Sequence, residues 1–213
     1  MFSGIIQSTG TIMETRAVAG GRRLRVRIGP AARECEPGAS IAVSGVCLTV
    51  TDRDDTSTSF DVVAETLDKS TLGAKREGDV VNIELSLRLC DRVDGHFVQG
   101  HVDGIATVER IESSPKEHAV WLRPQDNLRA YIVPKGSIAL DGVSLTIAKL
   151  EGALFSVALI PTTLERTTFR SLARGDRVNV ETDIIARTVV HQIVRMSGAA
   201  DLSMDTLRNA GFL

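Results

Sequence analysis

Ser44-Gly45-Val46-Cys47-Leu48-Thr49-Val50 and Asp141-Gly142-Val143-Ser144-Leu145-Thr146-Ile147 are two copies of one pattern, 97 residues apart. The same offset lays Ser40-Ile41-Ala42 on Ser137-Ile138-Ala139, Thr66-Leu67 on Thr163-Leu164 and Thr71 on Thr168. It also lays Gly78-Asp79 on Gly175-Asp176, and Val81-Asn82-Ile83-Glu84 on Val178-Asn179-Val180-Glu181. At the front, Phe2-Ser3-Gly4 matches Val98-Gln99-Gly100 at an offset of 96, so the halves differ by a single residue. A lone seven-residue echo is within the reach of chance. Blocks in register over most of both halves are a duplication.

The repeated unit reads as β. Leu24-Arg25-Val26-Arg27-Ile28 alternates with period two, as do Phe60-Asp61-Val62-Val63 and, approximately, Val81-Asn82-Ile83-Glu84-Leu85. Turn signals such as Ala19-Gly20-Gly21 and Glu36-Pro37-Gly38 punctuate these runs. Many short strands with glycine-rich turns predict a sandwich or a closed barrel. Gly45 and Gly142 precede apolar strand residues, which predicts a tight turn or a close approach of backbone. From Ile184 the pattern changes: Ile185, Val189, Ile193 and Met196 are spaced four, four and three, a helical stripe. Thr182-Asp183 supplies N-cap oxygens ahead of it. Such a stripe either docks on its own barrel or joins copies of the chain. The expected organisation is all-β up to the helix, with units at 1–97 and 98–183 and a helical segment at 184–213.

The chain has 213 residues, long enough to bury a core without disulfides or metals. Its net charge of -2 argues against an electrostatic grip on nucleic acid or anionic lipid, and 4% aromatics are too few for base-stacking platforms. Cys35, Cys47 and Cys90 match no zinc spacing, and an odd, sparse count fits a reducing compartment. The opening MFSGIIQSTG has neither a basic nor a long apolar region, and no run approaches the roughly 18 apolar residues of a membrane span. A cytoplasmic location, no membrane contact and no metal are expected.

Chemistry has few candidates. His96 and His101, in Gly95-His96-Phe97-Val98-Gln99-Gly100-His101 at the junction, are suited to general acid–base work, or are linker imidazoles bonded to backbone carbonyls. Cys47 stands opposite Ser144 in the repeat: either the two halves hold different pockets, or the thiol is a small buried hydrophobe. Ser40, Thr49, Thr66, Ser137, Thr146 and Thr163 form a repeated set of hydroxyls at strand ends. They suit a neutral, polyhydroxylated or heterocyclic ligand, or reflect the β-propensity of threonine. There is no G-x-S-x-G elbow, P-loop or G-x-G-x-x-G.

The opening Met-Phe-Ser-Gly-Ile-Ile, the two Gly-Val-x-Leu-Thr blocks, the Gly95–His101 junction, and Ile160 through Thr168 followed by Gly175-Asp176-Arg177-Val178-Asn179 resemble the riboflavin synthase family over essentially the whole chain. The resemblance implies two six-stranded antiparallel β-barrels, a C-terminal helix and a homotrimer. It implies dismutation of two 6,7-dimethyl-8-ribityllumazine molecules into riboflavin and 5-amino-6-ribitylaminouracil, without a separate cofactor. It places Gly4, Ile5, Ile6, Cys47, Leu48, Thr49, Asp61, Glu65 and Thr66 in a first-barrel pocket. A second pocket would hold Gly100, His101, Val102, Lys135, Ser144, Leu145, Thr146, Ala158, Leu159, Ile160, Pro161, Thr162 and Thr163. His101, Cys47, Ser40 and Asp183 would be catalytic or near-catalytic, with His96 supporting. Asp94 and Ser44 depart from the usual glycine and common asparagine of that family, and Thr162 stands where some members carry glutamate. The alternative is a non-catalytic lumazine- or flavin-binding protein on the same double barrel. Association with a lumazine-producing enzyme is left open.

Overall fold

The computed structural model describes residues 1–114, 118–197, 204–209 and 211. Strands β1 (Ser8–Val18), β2 (Gly21–Arg27), β3 (Ser40–Val43), β4 (Val46–Arg53), β5 (Ser57–Val63) and β6 (Val80–Leu85) close in the order β1-β2-β5-β4-β3-β6. In the second half, β7 (Gly104–Ser113), β8 (His118–Pro124), β9 (Ser137–Leu140), β10 (Val143–Glu151), β11 (Leu154–Leu159) and β12 (Arg177–Thr182) close identically, every pair antiparallel. The duplication therefore makes two six-stranded barrels, as the resemblance implies. Alternation fills each one: Leu24, Val26, Ile41, Phe60 and Ile83 point into the first core, and Leu122, Ile138, Phe155, Val157 and Val180 into the second. Even the bulges repeat, at Ile12/Glu14 and Val108/Arg110 and at Val50/Asp52 and Ile147/Lys149, bending strands so that a small sheet can close.

Short helices α1 (Ala64–Lys69) and α2 (Pro161–Arg166) follow β5 and β11. They correct one expectation: Thr66 and Thr163 lie in these helices, and only the Ser40/Ser137 pair stands at a strand end, with Thr49 and Thr146 inside β4 and β10. Residue pattern could not reveal helices of six residues, because a single turn and a half shows no full apolar period.

The barrels meet across a local dyad built from the quoted repeat. The two-residue loops Ser44-Gly45 and Asp141-Gly142 have φ of 44°, 79°, 43° and 80°, the mirror-image turn that suits twisted hairpins. Here glycine is required twice over: a Cβ on Gly45 would fall 2.5 Å from the Gly142 amide nitrogen. Two fully buried asparagines cross the seam. Asn82 donates its amide to the Asp141 carbonyl at 3.0 Å and accepts from Thr168 N at 2.8 Å. Asn179 donates to the Ser44 carbonyl at 2.7 Å and accepts from Thr71 N at 2.7 Å. Asp141 is walled in here, and burial pushes its carboxyl up to about 7.

Beyond the barrels, α3 (Ile184–Ser197) begins where Asp183 Oδ1 accepts the Ile185 amide at 2.8 Å, the expected N-cap. The helix packs against the 3-10 turn Asp126–Tyr131 and buries Val190. The stripe lies elsewhere: Ile185, Val189 and Met196 are 62%, 36% and 86% exposed. A short helix α4 (Met204–Asn209) follows, and 198–203, 210 and 212–213 of the expected segment lie outside the described residues. No helix among the described residues is long and apolar enough to cross a membrane.

The glycine pair at the dyad generates a stability prediction. Gly45→Ala combines about 1–2 kcal/mol of left-handed strain with an overpacking cost of about 1–3 kcal/mol. Urea unfolding is expected to show a loss of about 2–5 kcal/mol. Gly20→Ala, at φ 80° but in open space, should lose only the strain, about 1–2 kcal/mol. Equal losses for the two would mean that the glycine contact does not hold the barrels in register.

Candidate active site

Two extended straps, one ahead of each barrel, decide where the candidate residues stand. Phe2 and Val98 pair antiparallel across the dyad, Phe2 N donating to Val98 O at 2.7 Å and Val98 N to Phe2 O at 3.1 Å. Each strap is fastened to its own half by a buried carboxylate. Glu84 accepts from Ser3 N, Ser3 Oγ and Gly4 N at 2.7, 2.8 and 3.0 Å. Glu181 accepts from the amides of Gln99, Gly100 and His101 at 2.7, 2.8 and 3.0 Å. Burial pushes both carboxyls up, and the backbone donors oppose it.

Each strap then lies on the other half. The Gly4 carbonyl accepts from Ser144 N at 2.8 Å, and the Gly100 carbonyl from Cys47 N at 2.9 Å. Both glycines have φ near 80°, and a Cβ on Gly100 would sit 2.5 Å from the Cys47 Cβ. This corrects the grouping expected from sequence. Gly4 meets Ser144 of the second barrel, Ile6 packs into the second core, and Ile5 stands exposed between them. Gly100, His101 and Val102 border the first-barrel pocket, and Val102 packs against the first core. The crossover follows from the dyad, which no linear alignment of the halves displays.

The first pocket is a cavity of about 180 Å³ walled by Cys47, Glu65, Thr66, Lys69, His101 and Val102. Cys47 points outward from the barrel beside Ala42 and the seam cluster of Phe2 and Val98. Ser40 and Thr49 face each other further along the same outer face. Lys69 binds Glu65 at 2.7 Å and holds its carboxyl below the usual range. Asp61 does not join them. It lies on β5 in a two-point pair with Arg23, at 2.6 and 2.7 Å, which lowers its pKa. Leu48 turns into the first core.

On the second barrel the matching position is Ser144, whose Oγ shares a 2.7 Å hydrogen bond with His96 Nδ1. Gly95 lets the imidazole approach, since a Cβ there would lie 2.1 Å from the Ser3 carbonyl oxygen. Thr146 is exposed on the same outer face, and Ser137 faces it from β9. Leu145 and Leu159 pack on the second core, so they offer backbone only, while Ala158, Ile160, Pro161 and Thr162 are exposed and Thr163 is half-buried at the rim. Lys135, at φ 64°, lies in the turn before β9, where its backbone N–H donates a hydrogen bond to Ile147 O at 2.9 Å. His96 Nε2 is buried without a partner, and burial depresses the imidazole pKa against the opposing charge of Asp183.

The carboxylates Glu84 and Glu181 and the asparagines Asn82 and Asn179 are absent from the candidates drawn from sequence. Their signal was present: polar residues at both outward positions of an otherwise apolar strand, in both copies of Val-Asn-x-Glu. A strand that keeps two polar residues buried twice has partners for them elsewhere in the chain.

A family model described as the lumazine binding domain matches residues 3–86 and again 99–183. The riboflavin synthase of Mycobacterium tuberculosis (strain ATCC 25618 / H37Rv) is 43% identical over 204 residues, 93% of this chain and 100% of that one. The chain belongs to the riboflavin synthase family. The riboflavin synthase of Escherichia coli (strain K12) is 37% identical over 207 residues, covering 96% of this chain and 97% of that one. Among solved structures, LumP complexed with riboflavin aligns with a TM-score of 0.78 at 26% identity, over 85% of this chain and 99% of that one. LumP complexed with 6,7-dimethyl-8-(1'-D-ribityl) lumazine shares the fold at a TM-score of 0.77, 24% identity and the same coverage.

The His96 environment can be checked by proton NMR of the imidazole. Its midpoint is expected below the ordinary value of 6.5. As pH falls through about 6.5 the unfolded chain takes up this proton first, so stability declines from there to the lower folded midpoint and then levels off. A midpoint at or above 6.5 would mean that Asp183, not burial, governs the group.

Proposed function

We propose that this chain converts two molecules of 6,7-dimethyl-8-ribityllumazine into riboflavin and 5-amino-6-ribitylaminouracil, using no added cofactor. The observation that carries this reading is a pair of dyad-related strap contacts that differ in chemistry. One sets Cys47 beneath a strap bearing His101, and the other sets Ser144 and His96 beneath a strap bearing Ile5. A dismutation needs that inequality, because two identical substrates must play different parts. One lumazine loses a proton from its acidic 7-methyl group, and the resulting carbanion is delocalised into its own ring. The other accepts its attack, and a four-carbon unit passes between them. The substrate provides the electron sink, so the protein's part is alignment and proton movement. His101 and His96 are the proton-handling groups in this scheme, with Cys47, Ser40 and Asp183 beside them. The remaining pocket residues hold the ring and ribityl chain.

In this reading residues 1–97 and 98–183 each supply one lumazine-binding barrel, in a homotrimer located in the cytoplasm. The reacting pair sits between chains. A first-barrel cavity of about 180 Å³ is smaller than the roughly 300–1,000 Å³ of clefts that enclose a ligand, so one wall comes from a neighbour. Glu84 and Glu181 pin both straps, so the barrels of one chain cannot swing their pockets together. The exposed stripe Ile185, Val189 and Met196 supplies the seam between copies.

Metal-free protein incubated with the lumazine alone is expected to produce one riboflavin per two lumazines consumed, followed by flavin absorbance. Tight lumazine binding without product would favour the alternative of a non-catalytic carrier. Truncation after Asp183 is expected to leave folded barrels that bind lumazine, since both cores are complete without α3. Light scattering should then report monomers, and turnover should fall at least about 100-fold as the high effective concentration of the paired substrates is lost. Full activity in a truncated monomer would place the site within one chain.

A further inference from the structure

The strap that carries His101 has a third fastening besides Glu181 and Cys47. Asp103, at its far end, uses Oδ2 to accept from Thr182 N at 2.8 Å and Thr182 Oγ1 at 2.7 Å. Its Oδ1 accepts from Arg187 Nη1, on the first turn of α3. The same guanidinium reaches the near end of the strap, where Arg187 Nη2 donates to Gln99 Oε1 at 3.2 Å. One planar fork therefore spans the segment Gln99–Asp103, with Gly100, His101 and Val102 held between its two contacts. The pair is largely buried, with 23% of the Arg187 and 17% of the Asp103 side chain exposed.

The repeat supplies an internal comparison. Gln7 occupies the place of Asp103 in the first half, and its Oε1 accepts from Leu85 N at 3.0 Å, the same strand-end bond that Asp103 takes from Thr182. A neutral amide is enough for that bond. The second half instead spends a carboxylate there, and the additional oxygen goes to Arg187. The difference coincides with what the straps carry, since Ile5 stands in the first where His101 stands in the second. A strap that only packs needs no second tie. One that must hold an imidazole in place is sensitive to shifts of an ångström, which cost about 100-fold in rate when reacting groups are misaligned.

We propose that Arg187 is a positioning residue for the first-barrel pocket: by bridging Asp103 and Gln99 it fixes the strap, and with it His101, over Cys47. The helix whose outer stripe is free for a neighbouring chain thereby also sets the geometry of a group within its own chain. This rests on the reading that the Cys47–His101 pocket takes part in turnover, and the test separates the two.

The measurements use the full chain with Cys90→Ser, which removes the exposed thiol and leaves Cys47 half-buried and Cys35 buried. Labelling of Cys47 by iodoacetamide reads how firmly the strap lies on it, and steady-state kinetics with the lumazine reads the consequence. Arg187→Leu is expected to label about tenfold faster and to lose about 10- to 100-fold in kcat, with KM changed less than about threefold. Arg187→Lys, whose ammonium keeps the Asp103 pair, should recover a large part of both. Should Arg187→Leu fail to fold by circular dichroism, Arg187→Gln carries the same comparison. A folded variant with unchanged Cys47 labelling, or with unchanged kcat, overturns the proposal, as does equal loss in kcat and 1/KM with no rescue by lysine. If the parent protein makes no riboflavin, the proposed reaction fails, while the labelling series still decides whether Arg187 holds the strap.

Discussion

Two buried carboxylates determine the form of this molecule. Glu84 and Glu181 are 2% and 3% exposed, and each gathers backbone N–H groups from an extended segment that would otherwise have no sheet to join. Burying a charge is costly unless donors converge on it, and here the donors are main-chain amides whose positions depend on the strap being in place. The carboxylate orders the strap and the strap solvates the carboxylate. Each depends on the other, and together they hold the segment ahead of each barrel in place. From that position the Gly4 and Gly100 carbonyls reach across to Ser144 and Cys47.

The seam between barrels follows the same logic with neutral groups. Asn82 and Asn179 each face the partner barrel with a donor and an acceptor satisfied, which leaves no alternative register of similar energy. The Gly45–Gly142 approach brings backbone close enough for these side chains to span the gap. Hydrophobic burial fills the barrels, yet the polar crossings determine how one barrel sits on the other. The Arg187 bridge adds a charged member to this set, on the half whose strap bears a histidine.

Much of this architecture was legible in the residues. The 97-residue echo announced two equal units, period-two alternation made them β, and the spacing of Ile185, Val189, Ile193 and Met196 marked the helix. The repeat also set Cys47 opposite Ser144, and the structure gives the two positions different neighbours, Gly100 and Gly4. What could not be read was which strap serves which pocket, because an alignment places Gly4 with Cys47 and Gly100 with Ser144, while the dyad exchanges them. Asp61 shows a second limit: its place in an alternating strand puts it on an outer face, but only the structure shows Arg23 taking both of its oxygens. The polar residues of Val81–Glu84 and Val178–Glu181 were visible as a repeat, and their meaning waited on knowing what lay across the seam.

The crossed straps make the two halves incomplete in a complementary way. Cut at the repeat boundary, the first half keeps every residue of its barrel core and of the Cys47 wall, yet loses the Gly100–Val102 segment that roofs it. What it retains is Gly4-Ile5-Ile6, a roof shaped for a barrel no longer attached. A second copy of the same fragment, if set about the same two-fold axis, would present that roof where the missing one stood, with isoleucine in place of histidine. Duplication followed by fusion of such a self-complementary unit would leave a chain of this form, in which unequal chemistry could arise at one roof without disturbing the other.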